Sequence, residues 1–202
     1  HVADFLREMK DPRRLLPTKT FVGQTKLSFG TAEIELKKVG FHSNEGDLYI
    51  YLPKQKVLMA IDTLAPGYVP FMNFDLTVNM HEYLKMFDQL LAYDFDVLVA
   101  GHLTSLGTRQ DVVDNKNYAL DVYRTVKRIH NSADQNKMAM DTIQKFGADN
   151  KFLIFNNILE PLIEQSYQEI KGRWIDKLAG VDIYGRSHAR TMLIYVRWDD
   201  KL

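Results

Sequence analysis

Apolar runs along the first half of the chain predict a β-sheet. In "AEIELKKV" (residues 32–39) apolar and polar residues alternate, which is typical of a half-exposed strand. "DLYIYL" and "VLMAID" are apolar on both faces, and the turn "PKQK" between them predicts a hairpin. Because both faces are apolar, these two strands predict a sheet that is covered on both sides.

A helical pattern follows and leads into a further strand. In "TVNMHEYLKMFDQLLAYD" the apolar residues recur at helical spacing, which predicts an amphipathic helix. The chain then enters "FDVLVAGH", a short apolar run typical of a buried strand. Strand, helix and strand in this order indicate a crossover unit and a layered α/β architecture.

From residue 108 the pattern is mainly helical. Thr108, with Asp111 three residues later, predicts a capped helix start. We expect three helices and then a strand in "HARTMLIYVRWD". The predicted helices are 109–130, 134–146 and 155–178. The chain thus divides into an α/β portion (1–107), a helical region (108–180) and a C-terminal strand or tail packed on the same domain (181–202).

Composition narrows the function classes. Of 202 residues, 46% are hydrophobic, and 26 basic side chains balance 26 acidic ones. This balance gives no sign of a nucleic-acid partner, and no apolar run approaches the length of a membrane span. The chain has no cysteine, which excludes thiolate metal sites and cysteine nucleophiles. Its start, "HVADFLREMK", has a helical pattern from the first residues, and we interpret the chain as a fragment or processed product.

Three metal-capable side chains stand at strand ends. His42 precedes one predicted strand, Asp62 ends the next, and His102 ends a third. Loops at one edge of a sheet are where sites are usually built. Imidazole and carboxylate are ligands that suit zinc. The sequence therefore predicts that these three side chains converge on the scale of a metal site.

These stretches, in this order, carry a family resemblance. A glycine-flanked histidine, "GDLYIYLP", "KVLMAIDTL" and "DFDVLVAGH" resemble the second half of a metallo-β-lactamase-fold hydrolase, over roughly residues 1–113. The resemblance implies an αββα-sandwich-like fold with a helical extension. It also implies that His42 binds a first metal, that Asp62 is a catalytic residue bridging two metals, and that His102 binds the second.

The chain departs from the family pattern in two ways. Ile61 stands before the bridging aspartate, where the family usually has glycine. The motif His-x-His-x-Asp-His, which supplies most of the remaining ligands, is absent, and no His-x-His occurs in the chain. We therefore expect a zinc site that is incomplete, binds the ion weakly and supports little hydrolysis.

The resemblance implies a di-zinc hydrolase acting on a small-molecule ester, thioester, lactam or similar bond. Zinc lowers the pKa of bound water to roughly 7 and polarises the bond to be cleaved. The alternative is a metal-free, non-catalytic module acting through its helical region.

Two features leave alternatives open. The aromatic residues Tyr68, Phe71 and Phe74 either wall a substrate pocket or cover the sheet edge. The helical region is a lid, a dimerisation element or a layer on the sheet. A homo-oligomer is compatible with the sequence. A sheet that is apolar on both faces needs a covering layer on each, so we predict that the isolated chain self-associates.

Overall fold

A computed structural model describes residues 2–43, 46–102 and 105–202. Its first half contains five strands and three helices, and its second half is helical. In chain order they are α1 (Val2–Met9), β1 (Gln24–Phe29), β2 (Ala32–Lys38), β3 (Leu48–Leu52), β4 (Val57–Met59), α2 (Met72–Leu76), α3 (Met80–Leu91), β5 (Val97–Val99), α4 (Arg109–Ser132), α5 (Gln135–Phe146), α6 (Lys151–Trp174) and α7 (Val181–Trp198).

The five strands form one mixed sheet in the order β1-β2-β3-β4-β5. Neighbours from β1 to β4 are antiparallel, and β3 pairs with β4 in the predicted hairpin, with Ile50 opposite Met59. β5 pairs with β4 in parallel, with Met59 opposite Val99. Because parallel neighbours need a crossover, α3 lies between them in the chain. The predicted crossover is confirmed, and so is the α/β fold with a helical extension.

The two faces of the sheet have different surroundings. Tyr49, Leu58 and Leu98 are fully buried and belong to the hydrophobic core that the helices share. On the opposite face, ten apolar side chains are at most partly buried and lie outside that core. They are Leu27, Ile34, Leu36, Leu48, Ile50, Leu52, Val57, Met59, Val97 and Val99, which we call the open sheet face. In the described chain, the expected cover is therefore present on one face.

The helices after the sheet pack into the same core. α4 begins at Thr108 with a complete capping box, in which Asp111 returns the hydrogen bond, so the predicted start is confirmed. Core side chains from α4, α6 and α7 join those of the sheet in one cluster. None of the helices in the described ranges is long and apolar enough to span a bilayer.

The C-terminal strand prediction is wrong. Residues 181–198 form α7, a helix of 18 residues. Its buried positions recur every three or four residues, as a helix with one buried side requires. They are Val181, Gly185, His188, Ala189, Met192, Leu193 and Tyr195. The run "MLIYV" has the β-branched and aromatic composition of a strand, and tertiary packing decided the outcome.

Candidate functional site

The three predicted site residues converge at one edge of the sheet. One oxygen of Asp62, Oδ1, lies 2.5 Å from Nε2 of His102. Its other oxygen, Oδ2, lies 3.8 Å from Nδ1 of His42. The predicted convergence is confirmed, and one carboxylate faces two imidazoles through its two different oxygens.

Asp47 fixes the backbone that carries His42. Its Oδ2 accepts hydrogen bonds from the backbone N–H groups of His42, at 2.9 Å, and Ser43, at 2.8 Å. The hydroxyl of Ser43 donates to the other oxygen, Oδ1, at 3.1 Å. The carboxylate of Asp47 is thereby occupied with the turn, and Nδ1 of His42 lies 3.9 Å from its Oδ1, about as far as from Asp62.

Two of the three site residues have a left-handed backbone. Asp62 has φ 60° and His102 has φ 57°. Residues other than glycine rarely adopt this conformation, and such outliers cluster at functional sites. The backbone is held there by pairing with the adjacent strand, since Asp62 N–H donates to the carbonyl of Ala100 at 3.2 Å.

Ile61, the departure from the family pattern, is accommodated by Gly101. A Cβ added to Gly101 would lie 2.9 Å from Cγ2 of Ile61, closer than real Cβ contacts. Gly101 also has φ +88°, which favours glycine. The side chain of Ile61 therefore occupies the space that the absent side chain of residue 101 leaves, beside the site and not within it.

The donor atoms suit zinc, but their present spacing does not. Two ligands at zinc's bonding distances stand ~3.4 Å apart around a tetrahedral ion. The 2.5 Å contact between His102 and Asp62 is shorter, because the ring N–H donates directly to the carboxylate. Within the described ranges, no group of three or more acidic, histidine or cysteine side chains is already arranged to hold an ion. The side chain of His102 is 75% exposed, so its ring has room to turn away and open the gap.

A cavity of about 830 Å³ opens directly above these residues. Such a volume lies within the range of small-molecule sites. Its apolar lining comes from the loop after Asp62 and from the start of α7. These apolar lining residues are Leu64, Ala65, Tyr68, Val69, Phe71, Leu76, Ala100, Ala179, Ile183 and Tyr184.

Two of the three predicted pocket aromatics line this cavity. Tyr68 and Phe71 do, whereas Phe74 does not. The side chain of Phe74 is fully buried and stacks on the ring of His188 with 4.4 Å between ring centroids. Phe74 therefore belongs to the core beneath the cavity.

Asp75 also lines the cavity, and no pattern in the sequence pointed to it. Burial raises the pKa of its carboxyl group, and the nearby charge of Asp62 raises it further. A hydrogen bond from the N–H of Phe71, at 3.1 Å, and the charges of His42 and His102 act in the opposite direction. The carboxyl group of Asp75 thus shares the cavity with the three predicted residues.

Asp75 reaches the cavity because α2 is a left-handed turn. Its residues Asn73, Phe74, Asp75 and Leu76 have φ between 54° and 59°. Side chains other than glycine pay roughly 1–2 kcal/mol each in this conformation, so neighbouring contacts must hold it. No periodicity in the sequence predicts such a turn.

α7 supplies those contacts. The hydroxyl of Ser187 accepts from the N–H of Asn73 at 3.0 Å, and Thr191 donates to the side chain of Asn73 at 3.2 Å. The ring of His188 lies 2.9 Å, through Nε2, from the carbonyl of Phe71 and 2.7 Å, through Nδ1, from the hydroxyl of Tyr118. The helical region therefore supports one wall of the cavity.

The junction between α6 and α7 closes the cavity from another side. Val69 N–H donates to the carbonyl of Ala179 at 3.0 Å, and Ala179 N–H donates to that of Gly67 at 3.1 Å. This short ladder joins the loop after Asp62 to the start of α7. Tyr184 then packs edge-on against Phe71, with 5.1 Å between ring centroids.

Comparisons with known proteins identify similar solved structures. No family model and no curated protein matches the chain. A metallo-β-lactamase from Pontibacter korlensis is 18% identical over 57% of this chain and 53% of its own, with a TM-score of 0.44. A metallo-β-lactamase family protein from Thermus thermophilus is 18% identical over 73% and 49%, with a TM-score of 0.45.

A third similar structure is a stereoselective inverting sec-alkylsulfatase from Pseudomonas sp. It is 16% identical over 91% of this chain and 26% of its own, with a TM-score of 0.45. The chain spans about half, or less, of the length of these three structures. Proteins of the metallo-β-lactamase fold thus match part of the chain.

Proposed function

We propose that the chain carries part of the active site of a metal-dependent hydrolase that cleaves ester, thioester, lactam or similar bonds. The observation that carries the proposal is the convergence of His42, Asp62 and His102 at the base of the 830 Å³ cavity. The ordered sequence resemblance to metallo-β-lactamase-fold hydrolases gives the same three residues their roles.

The donor set fits zinc. Two imidazole nitrogens and a carboxylate are ligand types that this ion prefers. Because the two oxygens of Asp62 face different histidines, this carboxylate is suited to lie between two ions. Zinc, when bound, supplies Lewis acidity and makes water a better nucleophile.

The chain's own residues would orient the reaction. Asp62 is hydrogen-bonded to His102 and lies 3.8 Å from His42. The turn built on Asp47 fixes the backbone of His42. Nε2 of His102 can bind an ion only after its hydrogen bond to Asp62 opens, since one nitrogen cannot serve both. The apolar walls exclude water around the part of the substrate that does not react.

A second candidate is a metal-free module that acts through its helical region. The close contact between His102 and Asp62 favours it, because that hydrogen bond satisfies both groups without an ion. In this case α7 would serve to hold the left-handed turn, and the cavity would bind its ligand without reaction.

A cobalt(II) and zinc titration separates the two candidates. We expect the 202-residue chain to bind either ion with a dissociation constant weaker than about 1 µM, because it offers three ligands. His42→Ala, Asp62→Ala and His102→Ala should each abolish the cobalt absorption bands. His130→Ala is the matched control, since His130 is bonded to Asn131, away from the site.

Three outcomes would count against the proposal. Cobalt spectra that the three site variants leave unchanged would place the bound ion elsewhere. No binding by the wild-type chain at millimolar ion would support the metal-free module. Stoichiometric zinc binding tighter than micromolar would show that the three residues form a better site than we propose.

A further inference from the structure

We propose that the substrate of this site carries a neutral, apolar substituent on the side of the bond that lies in the cavity. The inference rests on the proposed function for the bond that is cleaved. The cavity lining supports the chemistry of the substituent, because most of it is apolar and no lysine or arginine of the described residues contributes to it; we call its larger aromatic and aliphatic side chains the apolar end.

The apolar end is built from two directions. Tyr68, Phe71 and Leu76 come from the loop and left-handed turn after Asp62, and Ile183 and Tyr184 come from the first two turns of α7. Tyr68, Phe71, Leu76 and Ile183 are exposed, with between 47% and 69% of each residue accessible. Exposed apolar groups that face one concave space are a ligand-binding feature more than a packing one.

The ionisable groups of the lining are few, and one of them adjoins the apolar end, since the N–H of Phe71 donates to Asp75 at 3.1 Å. Within the described part of the chain, the titratable side chains other than tyrosine that line the cavity are His42, Asp62, Asp75 and His102, and no lysine or arginine lines it. Asp62 lies 2.5 Å from His102 and 3.8 Å from His42, so three of the four stand together.

This distribution of charge selects against a charged substituent. An anionic group at the apolar end would lose its hydration and find no cation in the described lining to replace it. A cationic group there would also lose part of its hydration. Metal ions at His42, Asp62 and His102 would place positive charge at the reacting bond and leave the apolar end unchanged.

Binding of unreactive amides tests the proposal without metal and without turnover. Octanamide, the mono-amide of octanedioic acid, and 8-aminooctanamide share a length and differ at the far end, which is methyl, carboxylate or ammonium. Dissociation constants are measured by isothermal calorimetry on the full chain in chelator-treated buffer. Butanamide serves as the short probe.

We expect octanamide to bind at least ~tenfold more tightly than either charged probe, because a charge at the apolar end is desolvated without a partner. We also expect at least ~tenfold weaker binding of butanamide, since each fully buried methylene adds roughly fourfold to affinity. No hydrolysis is measured here, so this binding result does not depend on the outcome of the zinc titration or of an activity test.

A substitution at the apolar end then narrows the preference for the neutral probe. Ile183→Lys adds a cation at the apolar end and should narrow the difference between octanamide and the carboxylate probe at least ~threefold. Ile194→Lys is the matched control, on the same helix but outside the cavity lining, and should leave the wild-type ranking intact.

Equal or tighter binding of either charged probe by the wild-type chain would overturn the proposal. So would the absence of measurable octanamide binding, because the cavity would then not accept an apolar chain. If Ile183→Lys does not fold, as judged by circular dichroism, the wild-type ranking of the four probes decides alone.

Discussion

At the scale of single residues, burial strongly alters the titration of His188. Burial lowers the pKa of its imidazole to about 4. The ring is fully buried between Phe74 and Tyr118 and lies within hydrogen-bonding distance of the carbonyl of Phe71. The fold therefore holds this histidine neutral at physiological pH, and acid must protonate it against a desolvation cost.

We expect His188 to make the fold acid-sensitive. Its pKa in the folded state is lower than the unfolded value near 6.5. The neutral form therefore contributes its full stability above about pH 6.5, and this is lost as the pH falls toward 4. The depression corresponds to about 3 kcal/mol. In urea unfolding, the stability gap between wild type and His188→Gln should narrow by up to that amount from about pH 7.5 to about pH 4. A gap that does not change with pH would contradict this.

Gly101 and Ile61 form a complementary pair. We expect Gly101→Ala to lower the free energy of unfolding by about 3 kcal/mol, from the left-handed backbone together with the contact with Ile61. Gly147→Ala is the matched control, because Gly147 also has positive φ but nothing lies near its added Cβ. It should cost only about 1 kcal/mol.

The double variant Ile61→Ala/Gly101→Ala isolates the contact between the two residues. Removing the side chain of Ile61 should offset about 1 kcal/mol or more of the cost of Gly101→Ala in a double-mutant cycle. Strict additivity of the two single changes would show that Ile61 does not fill the space beside Gly101.

At the scale of elements, α7 determines the shape of the site from a distance in sequence. It holds the left-handed turn α2 through Ser187, His188 and Thr191, and α2 carries Asp75 and Leu76 into the cavity. A helix after the resembling region thus acts as part of the site and not as a separate appendage.

We expect Ser187→Ala to loosen α2 without unfolding the protein. The N–H of Asn73 loses its partner, so the amides of residues 71–76 should exchange with solvent at least ~tenfold faster, with about 1 kcal/mol of global destabilisation. Ser166→Ala is the control, since Ser166 donates to the carbonyl of Leu162 within α6. Unchanged exchange in residues 71–76 would mean that α2 does not depend on this bond.

The sequence predicted the strand ends and their three side chains because periodicity and order along the chain are local properties. It could not predict Asp75, whose place depends on four consecutive left-handed residues held by α7. It also misjudged α7 itself, where strand-like composition conflicts with helical spacing of the buried residues. For Phe74 the sequence leaves open a pocket wall or a cover over the sheet edge, and only the handedness of the turn places it in the core.

At the scale of the whole molecule, the open sheet face is notable because the core helices do not cover it. Its ten apolar side chains lie outside the helical core, and Phe5 and Leu15 near the N-terminus are also exposed. Contiguous apolar surface of this kind drives association in water. That the chain binds to copies of itself stays a prediction, which the partial exposure of this face motivates.

We expect light scattering to show oligomers or aggregates at micromolar concentration. Ile50→Lys, in the middle of the open sheet face, should reduce association, whereas Val22→Lys should not, because Val22 is 94% exposed and lies outside that face. A monodisperse wild-type monomer with strongly protected amides in residues 47–62 would show that the fold is complete without further cover.

The central claim is that His42, Asp62 and His102 form a metal site, and anomalous diffraction tests it most directly. Crystals of the chain soaked in zinc, with data collected above the zinc absorption edge, locate the ion without assumption. We predict a peak about 2.0–2.2 Å from the carboxylate of Asp62 and from at least one of the two imidazoles, with the bond between His102 and Asp62 opened. Zinc peaks confined to other residues, with the 2.5 Å contact between His102 and Asp62 intact, would contradict the claim.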